Sequence, residues 1–481
     1  MPFLRSITSR DPLPRAVALS ILVLYIIVVS AVAMHHEPWR DEADPWLTAR
    51  DASASELWQF FHHGGTPGLW YFLLMPLARA GAPYGSEHVL HVLIASASAA
   101  LILFASPFPR ITRVLLPFSY YFGYEYAVVA RSYALSVLLL FIIAALHPRR
   151  LERPIPYAIA VALLANTNVH ALVVAAMIGL AYLLETWGRL SGGPEPAESR
   201  LYVAIFIMLA GGVLAIAQAW PAPDAMVHGA ISVFHPEAPT QAIRGAFFPM
   251  IIMPHWIAVV FGVAIIVASL FAVRSSRFAL LVLLGSYTFF VYIFIFKWIG
   301  GLRHFGFLLL VLLFALWIVE DRQSCLSGQT RLSVLHWSLL TLSVAVSVVS
   351  AAFVWSLDWR FAFSGAKEMA EFIHARGMQS YKIAAHSETT TSALGPYFDH
   401  PFWYAGIEKY GTFSKWDGAF ERGLEVSYPE AAQRARGRFP LLLLNVEMPN
   451  PERNGWHLLY HNRRPQFANF DESFWLYGAL R

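Results

Sequence analysis

Long uncharged apolar runs recur along this chain, and they constrain its fold more than any other feature. A run of roughly 17 to 25 apolar residues is long enough to cross a bilayer as an α-helix. Only 14% of the residues are charged, against roughly 25% in an average soluble protein. The sequence therefore predicts a polytopic α-helical membrane protein. Runs of the required length lie at 16–34, 88–109, 132–148, 201–223, 245–273, 278–296 and 332–357.

Basic clusters between the apolar runs predict which loops face the cytoplasm, because short cytoplasmic loops are enriched in Arg and Lys. Each interval between consecutive clusters has room for two crossings. With the first two runs and the last one, this gives about 11 transmembrane helices, a cytoplasmic N-terminus and an extracytoplasmic chain from residue 358 onward. The expected location is the plasma (inner) membrane. The clusters are Arg110 with Arg113, residues 147–153, residues 189–200, Arg274 with Arg277, and Arg322 with Arg331.

Two segments leave alternatives open. The first apolar run follows several Arg residues and contains Ala31-Val32-Ala33, a pattern that also resembles a cleavable signal peptide. Its length favours an uncleaved anchor. The uncharged stretch 154–184 is predicted to form a hairpin that turns at residues 166–168. A single long tilted helix is the alternative there, and it would reverse the orientation of every later loop.

The first outer loop, about residues 35–85, contains an apolar segment that is too short to span a bilayer. The segment "TPGLWYFLLMPLARAG" is apolar for only about a dozen residues. Together with "SASELWQFF" before it, this segment is predicted to form two helices along the outer membrane surface. These helices would wall a pocket at that face.

The C-terminal part of the chain has a different character, with mixed charged and apolar residues and Gly, Pro and Asn at intervals. The segment "FSGAKEMAEFIHARG" predicts an amphipathic helix that stops at a glycine. Four further segments, "YKIAAH", "FPLLLLNVE", "WHLLYHN" and "SFWLYGAL", predict short strands. We therefore expect a transmembrane domain over residues 1–357 and an extracytoplasmic α/β domain over residues 358–481.

Ionisable and polar side chains gather at the predicted outer ends of the spans. Such residues are costly at membrane depth, and most of them pair with one another or line a cavity. A carboxylate can take the proton from an attacking hydroxyl, and Arg and Lys neutralise phosphate oxygens. A shared outer cavity that handles a phosphate and a hydroxyl would use all of them. The residues are Asp41, Glu42, Asp44, His62, His63, Glu125, Arg131, His170, Lys297, Arg303 and His304.

Each of these residues also has a plain structural interpretation. Asp41 and Glu42 fit a solvated loop, and Glu125 and Arg131 fit a pair that satisfies itself. His170 fits an interhelical contact. The Trp residues of the first loop fit an aromatic belt at the membrane interface. The co-location of acids and bases at one face favours a site over these separate explanations.

Several classes of function are disfavoured by composition. The single cysteine, Cys325, excludes an intramolecular disulfide framework. The net charge of +4 is distributed over short loops rather than one basic face, which disfavours binding of nucleic acid. No spacing diagnostic of metal ligands is present, so no metal residues are assigned, although a divalent metal stays conceivable. No other cofactor is expected.

Three motifs resemble those of the GT-C superfamily of membrane glycosyltransferases. They are "WRDEADPW" after the first span, "TPGLWYFLL" at the second surface helix, and "ARSYAL" at the start of a span. The nearest branch is the one of protein O-mannosyltransferases and the aminoarabinose transferases of lipid A. The resemblance implies transfer of a sugar, with inversion, from a polyprenyl-phosphate carrier to an acceptor hydroxyl on a glycan, lipid or protein. The lipid-linked donor is then a co-substrate.

The resemblance also implies roles for particular residues. Asp41 matches the family's catalytic acid, Arg131 matches a basic residue near the donor, and Arg303 resembles a basic residue near the carrier phosphate. Many members have His-Pro where this chain has Thr66-Pro67, so His63 is close to the motif but does not match it.

The chemistry of the reaction completes the predicted site. Asp41 is the expected general base, and Glu42 is expected to support it or to orient the acceptor. A phosphate leaving group needs no proton donor, so one base suffices. Cations must then stabilise the charge of the phosphate. The substrate-binding residues expected on these grounds are Arg131, Glu125, Lys297, Arg303, His304 and His63.

The competing class is a transporter or flippase of a lipid-linked anionic substrate. Such a protein would also place buried cations near a cavity. The one-sided clustering of the polar residues and the appended C-terminal domain favour the enzyme.

Overall fold

The computed structural model describes residues 9–190, 199–225, 234–323 and 331–480. A few sequence features lie outside the described residues. These are Cys325, the middle of the basic clusters at 189–200 and 322–331, and the centre of the expected outer turn at 221–239.

Eight helices among the described residues are long and apolar enough to cross a membrane. Several of them turn apolar side chains outward, as at Ile27, Leu93 and Phe206, as expected for a face in contact with lipid. The helix Leu302–Glu320 is the most deeply buried of the eight and lies at the centre of the bundle. The multi-pass architecture is thus supported. The helices are Arg15–His35, Ser86–Ala105, Val169–Trp187, Ser199–Ala219, His255–Val273, Arg277–Phe296, Leu302–Glu320 and Leu335–Arg360.

The hairpin expected within 154–184 is present. One helix, Pro154–Ala165, ends where the turn was predicted, and the next begins at Val169. The Asn166 side chain donates to the carbonyls of Ala162 and Gly211, and the Asn168 carboxamide accepts from a backbone N–H of the next helix. These side chains satisfy backbone groups that a turn leaves open. The alternative of one long helix is therefore wrong.

The expected crossing between Arg113 and the turn at 124–133 is not a continuous helix. The chain forms a short helix, Arg110–Leu115, a 3₁₀ turn, Leu116–Phe118, and a π-helical turn, Tyr121–Glu125. Two further predicted crossings are helices shorter than the eight, Tyr133–Leu146 and Pro154–Ala165. The count of 11 spans stays a prediction.

The first loop contains three helices, one more than expected. The two predicted helices are present as Ala54–Gly64 and Leu69–Arg79, and they are preceded by Arg40–Asp51, named here the Asp41 helix. At its first turn the Glu42 carboxylate accepts from the backbone N–H of Trp39 at 3.2 Å, which is the one half of a capping box that a Trp N-cap allows, since the indole can only donate. The interpretation of this stretch as a solvated loop is wrong because the cap and the buried apolar side of the helix stabilise a regular turn.

The C-terminal part forms a six-stranded mixed sheet beside the helix Ala366–Ala375, which was predicted. Strand order is β3-β2-β1-β4-β6-β5, with β1 parallel to both β2 and β4 and the other pairs antiparallel. The four predicted strands are present, and the structure adds two that were not predicted, β2 and β3. The strands are β1 Ile383–Ala385, β2 Phe402–Tyr404, β3 Lys409–Gly411, β4 Leu441–Leu444, β5 Trp456–His461 and β6 Trp475–Ala479.

The C-terminal part holds the Asp41 helix at two points. Arg40 forms an ion pair with Asp471 and lies 3.5 Å from the Glu472 carboxylate. Asp44 accepts hydrogen bonds from the Ser414 backbone N–H at 3.0 Å and from the Trp416 indole N–H at 3.1 Å. Contacts on either side of Asp41 therefore fix the position of its side chain.

Charged residues assigned by sequence to opposite sides of the membrane lie at opposite ends of the same helices. At one end, Arg10 pairs with Glu320, in the last turn of the central helix, which extends to Gln323. At the other end, Arg303 in the first turn of that helix pairs with Asp41. The structure therefore brings the expected outer loops together at one end of the bundle.

Candidate active site

A cavity of about 350 Å³ lies where the first-loop helices meet the C-terminal part. Its lining combines carboxylates, a guanidinium, an imidazole and several aromatic rings. Such a mixture suits a polar ligand with a ring, since aromatic faces pack against it and charged groups orient it. The lining residues are Asp41, Asp44, Pro45, Phe60, His63, Gly64, Thr66, Trp70, Tyr71, Arg131, Ser132 and Trp416.

The Asp41 carboxylate is held between two guanidinium groups. Arg131 forms an ion pair with Oδ2, and the Arg303 Nη2 atom lies 3.2 Å from the same oxygen. Burial alone would raise the pKa of Asp41, but the charges of Arg131, Arg303 and Arg40 outweigh it and hold the pKa below its ordinary value. Asp41 is therefore ionised at neutral pH.

Arg131 is positioned by the loop that precedes the helix Tyr133–Leu146. The backbone N–H of Ala130 donates to the Glu42 carboxylate at 2.6 Å, and a ring nitrogen of His91 lies 3.2 Å from the Arg131 carbonyl. The loop is thus fixed on both sides of Arg131. Because Glu42 is next to Asp41 in the chain, its carboxylate fixes the position of the Arg131 loop relative to Asp41.

Arg303 is positioned by aromatic groups. The Tyr126 hydroxyl donates to the Arg303 carbonyl at 2.5 Å. The Arg303 guanidinium lies over the Trp39 ring, 5.5 Å from its centroid, which is within the range of a cation–π contact. Its Nε atom is buried without a hydrogen-bond partner among the described residues. The guanidinium therefore keeps donor capacity for a bound anion.

Two further polar side chains line the cavity. The His63 ring lies 3.0 Å from the Asp224 carboxylate through Nε2, and its Nδ1 is 2.8 Å from the Gln59 carbonyl. Burial raises the pKa of Asp44 to about 7, against the opposing effect of its bonds to Ser414 and Trp416. At neutral pH the cavity therefore holds one ionised carboxylate, Asp41, and one that is about half protonated, Asp44.

The other residues expected at the site are more distant from Asp41. Glu42 is fully buried and does not line the cavity, so its contacts make it a positioning residue. Glu125 accepts from the Tyr120 hydroxyl at 2.7 Å. His304 is buried, with contacts of 3.0 Å to both the Tyr133 hydroxyl and the Gly301 N–H. Lys297 is exposed at the end of a helix and does not contact the Asp41 group.

Several residues of the cavity carried no signal in the sequence. Trp416 comes from the C-terminal part, and nothing in its local pattern indicates an approach to the first loop. Ser132 reaches the cavity only because the loop of Arg131 folds against the Asp41 helix. The "ARSYAL" motif contains it, so the motif was the one available indication.

Comparison with known proteins adds no relative to this picture. No protein-family model matches the sequence, and no curated protein matches it.

Proposed function

We propose that this protein is an inverting glycosyltransferase that moves a sugar from a polyprenyl-phosphate carrier to an acceptor hydroxyl. In this proposal the site faces the outer side of the plasma membrane, the bundle has 11 crossings, and the C-terminal part is an extracytoplasmic domain. The observation that carries the proposal is the carboxylate held by two guanidinium groups at the wall of a polar, aromatic cavity.

The ion pairs suggest how donor binding and base activation are linked. A phosphate is a better bidentate partner for guanidinium than a single carboxylate oxygen. When the carrier phosphate binds Arg131 and Arg303, it draws them away from Asp41. The carboxylate stays buried but loses its positive neighbours, so it becomes a stronger base. The base is thus activated only when the donor is present.

The transfer itself is one displacement. Asp41 takes the proton from the acceptor hydroxyl as its oxygen attacks the anomeric carbon, and the bond from that carbon to the phosphate oxygen breaks on the opposite face. The electron pair leaves with the polyprenyl phosphate, whose charge the two arginines stabilise. Attack opposite the leaving group inverts the anomeric carbon. The rings of Trp70, Tyr71 and Trp416 are placed to pack against the sugar.

The decisive experiment uses purified protein with synthetic polyprenyl-phosphate sugars and measures release of polyprenyl phosphate. Wild-type protein should cleave at least one such donor. Asp41→Asn should lower the rate by roughly 10² to 10⁴, the usual effect of losing a general base. Asp51→Asn, at the far end of the same helix, is the matched control and should retain wild-type turnover.

The same assay distinguishes a glycosyltransferase from a transporter. A flippase would move the lipid between the leaflets of a vesicle and leave its glycosidic bond intact. Lipid movement without cleavage over a panel of sugars, in protein that remains folded, would contradict the proposal.

A further inference from the structure

A second cluster of functional side chains lies beside Asp41 and outside the cavity. His36 follows the first span, Glu42 lies in the first turn of the Asp41 helix, and His88 lies in the first turn of the second span. All three are buried, and their ligand atoms lie within 4.8 Å of one another. The Glu42 oxygens are 3.1 Å from His36 Nε2 and 3.3 Å from His88 Nε2.

The two His–Glu separations, one to each Glu42 oxygen, are close to those around a shared metal ion. In a tetrahedral zinc site with bonds of about 2.0–2.1 Å, neighbouring ligand atoms are about 3.3–3.4 Å apart. The Nε2 atom of His88 is buried and has no hydrogen-bond partner among the described residues, although it is 3.3 Å from Glu42. An ion between the two groups would satisfy this atom, whose burial is otherwise costly.

The ligands are also held in fixed orientations. Asp358 lies 2.8 Å from the other ring nitrogen of His36, and the Tyr124 hydroxyl donates to the same Asp358 oxygen at 3.1 Å. Histidine ligands of metals commonly donate their second nitrogen to a carboxylate in this way. Glu42 is oriented by the backbone N–H groups of Trp39 and Ala130.

We propose that His36, Glu42 and His88 bind one divalent transition-metal ion. Two imidazoles and one carboxylate suit zinc, with a water molecule as the fourth ligand. The ion has a route from outside, because His36 and His88 line an apolar groove of about 650 Å³ between the first two spans. The positive charge of the ion offsets the buried carboxylates of Glu42 and Asp358.

The ion links three parts of the chain. It fixes the end of the first span, the start of the second span and the first turn of the Asp41 helix. Since Glu42 also binds the loop of Arg131, the ion indirectly holds the base against its arginine partner. Its binding does not depend on the reaction proposed at Asp41.

The test measures metal in full-length protein purified with a tag that contains no histidine. After treatment with a chelator, zinc is added back and its affinity is measured by competition with a chromophoric chelator. Wild-type protein should bind one zinc per chain. His36→Ala and His88→Ala should each weaken binding at least tenfold, and Asp358→Asn by roughly 10- to 100-fold. His35→Ala, next to the cluster but stacked on Trp359, is the control and should bind as wild type.

Two outcomes would overturn the proposal. In the first, folded wild-type protein stays free of zinc after zinc is added, and His36 only bridges Asp358 and Glu42. Zinc could also bind equally to wild type, His36→Ala and His88→Ala, which would place it elsewhere. If the alanine variants do not fold, X-ray absorption of zinc-loaded wild type decides, because the proposal requires two imidazole ligands.

Discussion

At the scale of single residues, the site depends on one carboxylate shared by two guanidinium groups. Asp41 and Asp44 lie on the same helix and are both buried, yet their environments differ. Arginine charges lower the pKa of Asp41, whereas burial raises the pKa of Asp44 to about 7 because the hydrogen bonds from Ser414 and Trp416 and the weaker effect of Arg131 do not offset it. This contrast identifies Asp41 as the ionised group at neutral pH.

The donor-binding role of the arginines can be measured separately from the base. Arg131→Ala and Arg303→Ala should each raise the KM for the lipid donor roughly 10- to 100-fold, the effect of losing one charge-assisted hydrogen bond. Arg149→Ala, an exposed arginine of a predicted cytoplasmic loop, is the control. Unchanged donor KM in both site variants would refute phosphate binding by these residues, whether or not Asp41 is the base.

At the scale of elements, the Asp41 helix is a short segment held at its N-terminal end by buried polar contacts. Glu42 accepts backbone N–H groups on both of its oxygens, one from its own cap and one from the loop of Arg131. Asp44 and Arg40 bind the C-terminal part. The helix is therefore positioned by partners that are distant in the sequence.

Replacing Glu42 should destabilise the end of the bundle that contains the Asp41 helix. In Glu42→Gln the amide NH₂ must face one of the two backbone N–H donors, which leaves buried groups unpaired and costs about 2–4 kcal/mol. Thermal unfolding in the presence of a chelator measures this effect without any contribution from bound metal. Glu56→Gln is the matched control, because Glu56 closes the exposed capping box of the next helix. Equal melting temperatures for the two variants would contradict the role of Glu42.

The contact between the sheet and the Asp41 helix predicts a dependence of stability on pH. Burial raises the pKa of Glu472 to about 8, against the opposing effects of Ser364 and Arg40. The unfolded chain loses this proton near its ordinary pKa, so stability should fall as pH rises from about 5 to 8. Glu472→Gln should flatten the fall of the melting temperature over this range. Glu371→Gln, at an exposed position of Ala366–Ala375, should leave the slope unchanged.

At the scale of the whole molecule, the long apolar helices carry two separate sets of charged loops. Arg10, Arg110 and Glu320 lie at one end, and Asp41, Arg131 and Arg303 lie at the other. This separation agrees with the arrangement predicted from the basic clusters, in which the second set is extracytoplasmic.

Accessibility of single cysteines tests that orientation. In a Cys325→Ser background, Glu452→Cys should react in intact cells with a membrane-impermeant maleimide, because Glu452 is exposed in the C-terminal part. Arg149→Cys should react only after the membrane is permeabilised. The reverse pattern would place the candidate site on the cytoplasmic side and exclude a donor presented at the outer leaflet.

Local patterns in the sequence determined much of the architecture. The length of the apolar runs predicted membrane-spanning helices, the polar residues at 166–168 predicted a helix break, and short apolar segments between Gly, Pro and Asn residues predicted four of the six strands. These features depend on neighbours within one or two turns of chain, so periodicity and capping suffice to predict them. The residues Asp41, Arg131 and Arg303 were also singled out from their predicted loops and from short motifs.

Only the tertiary structure decided how those residues meet. The Asp41 helix has a local cap, but the partners that position it come from distant segments, and Trp416 reaches the cavity through contacts that no local pattern encodes. The cluster of His36, Glu42 and His88 was missed for the same reason, since its members are joined by the packing of two spans rather than by spacing. The sequence by itself determined which segments are helices and which residues can do chemistry. The fold decided which of those residues share a site, because long-range packing sets the distances on which charge and coordination depend.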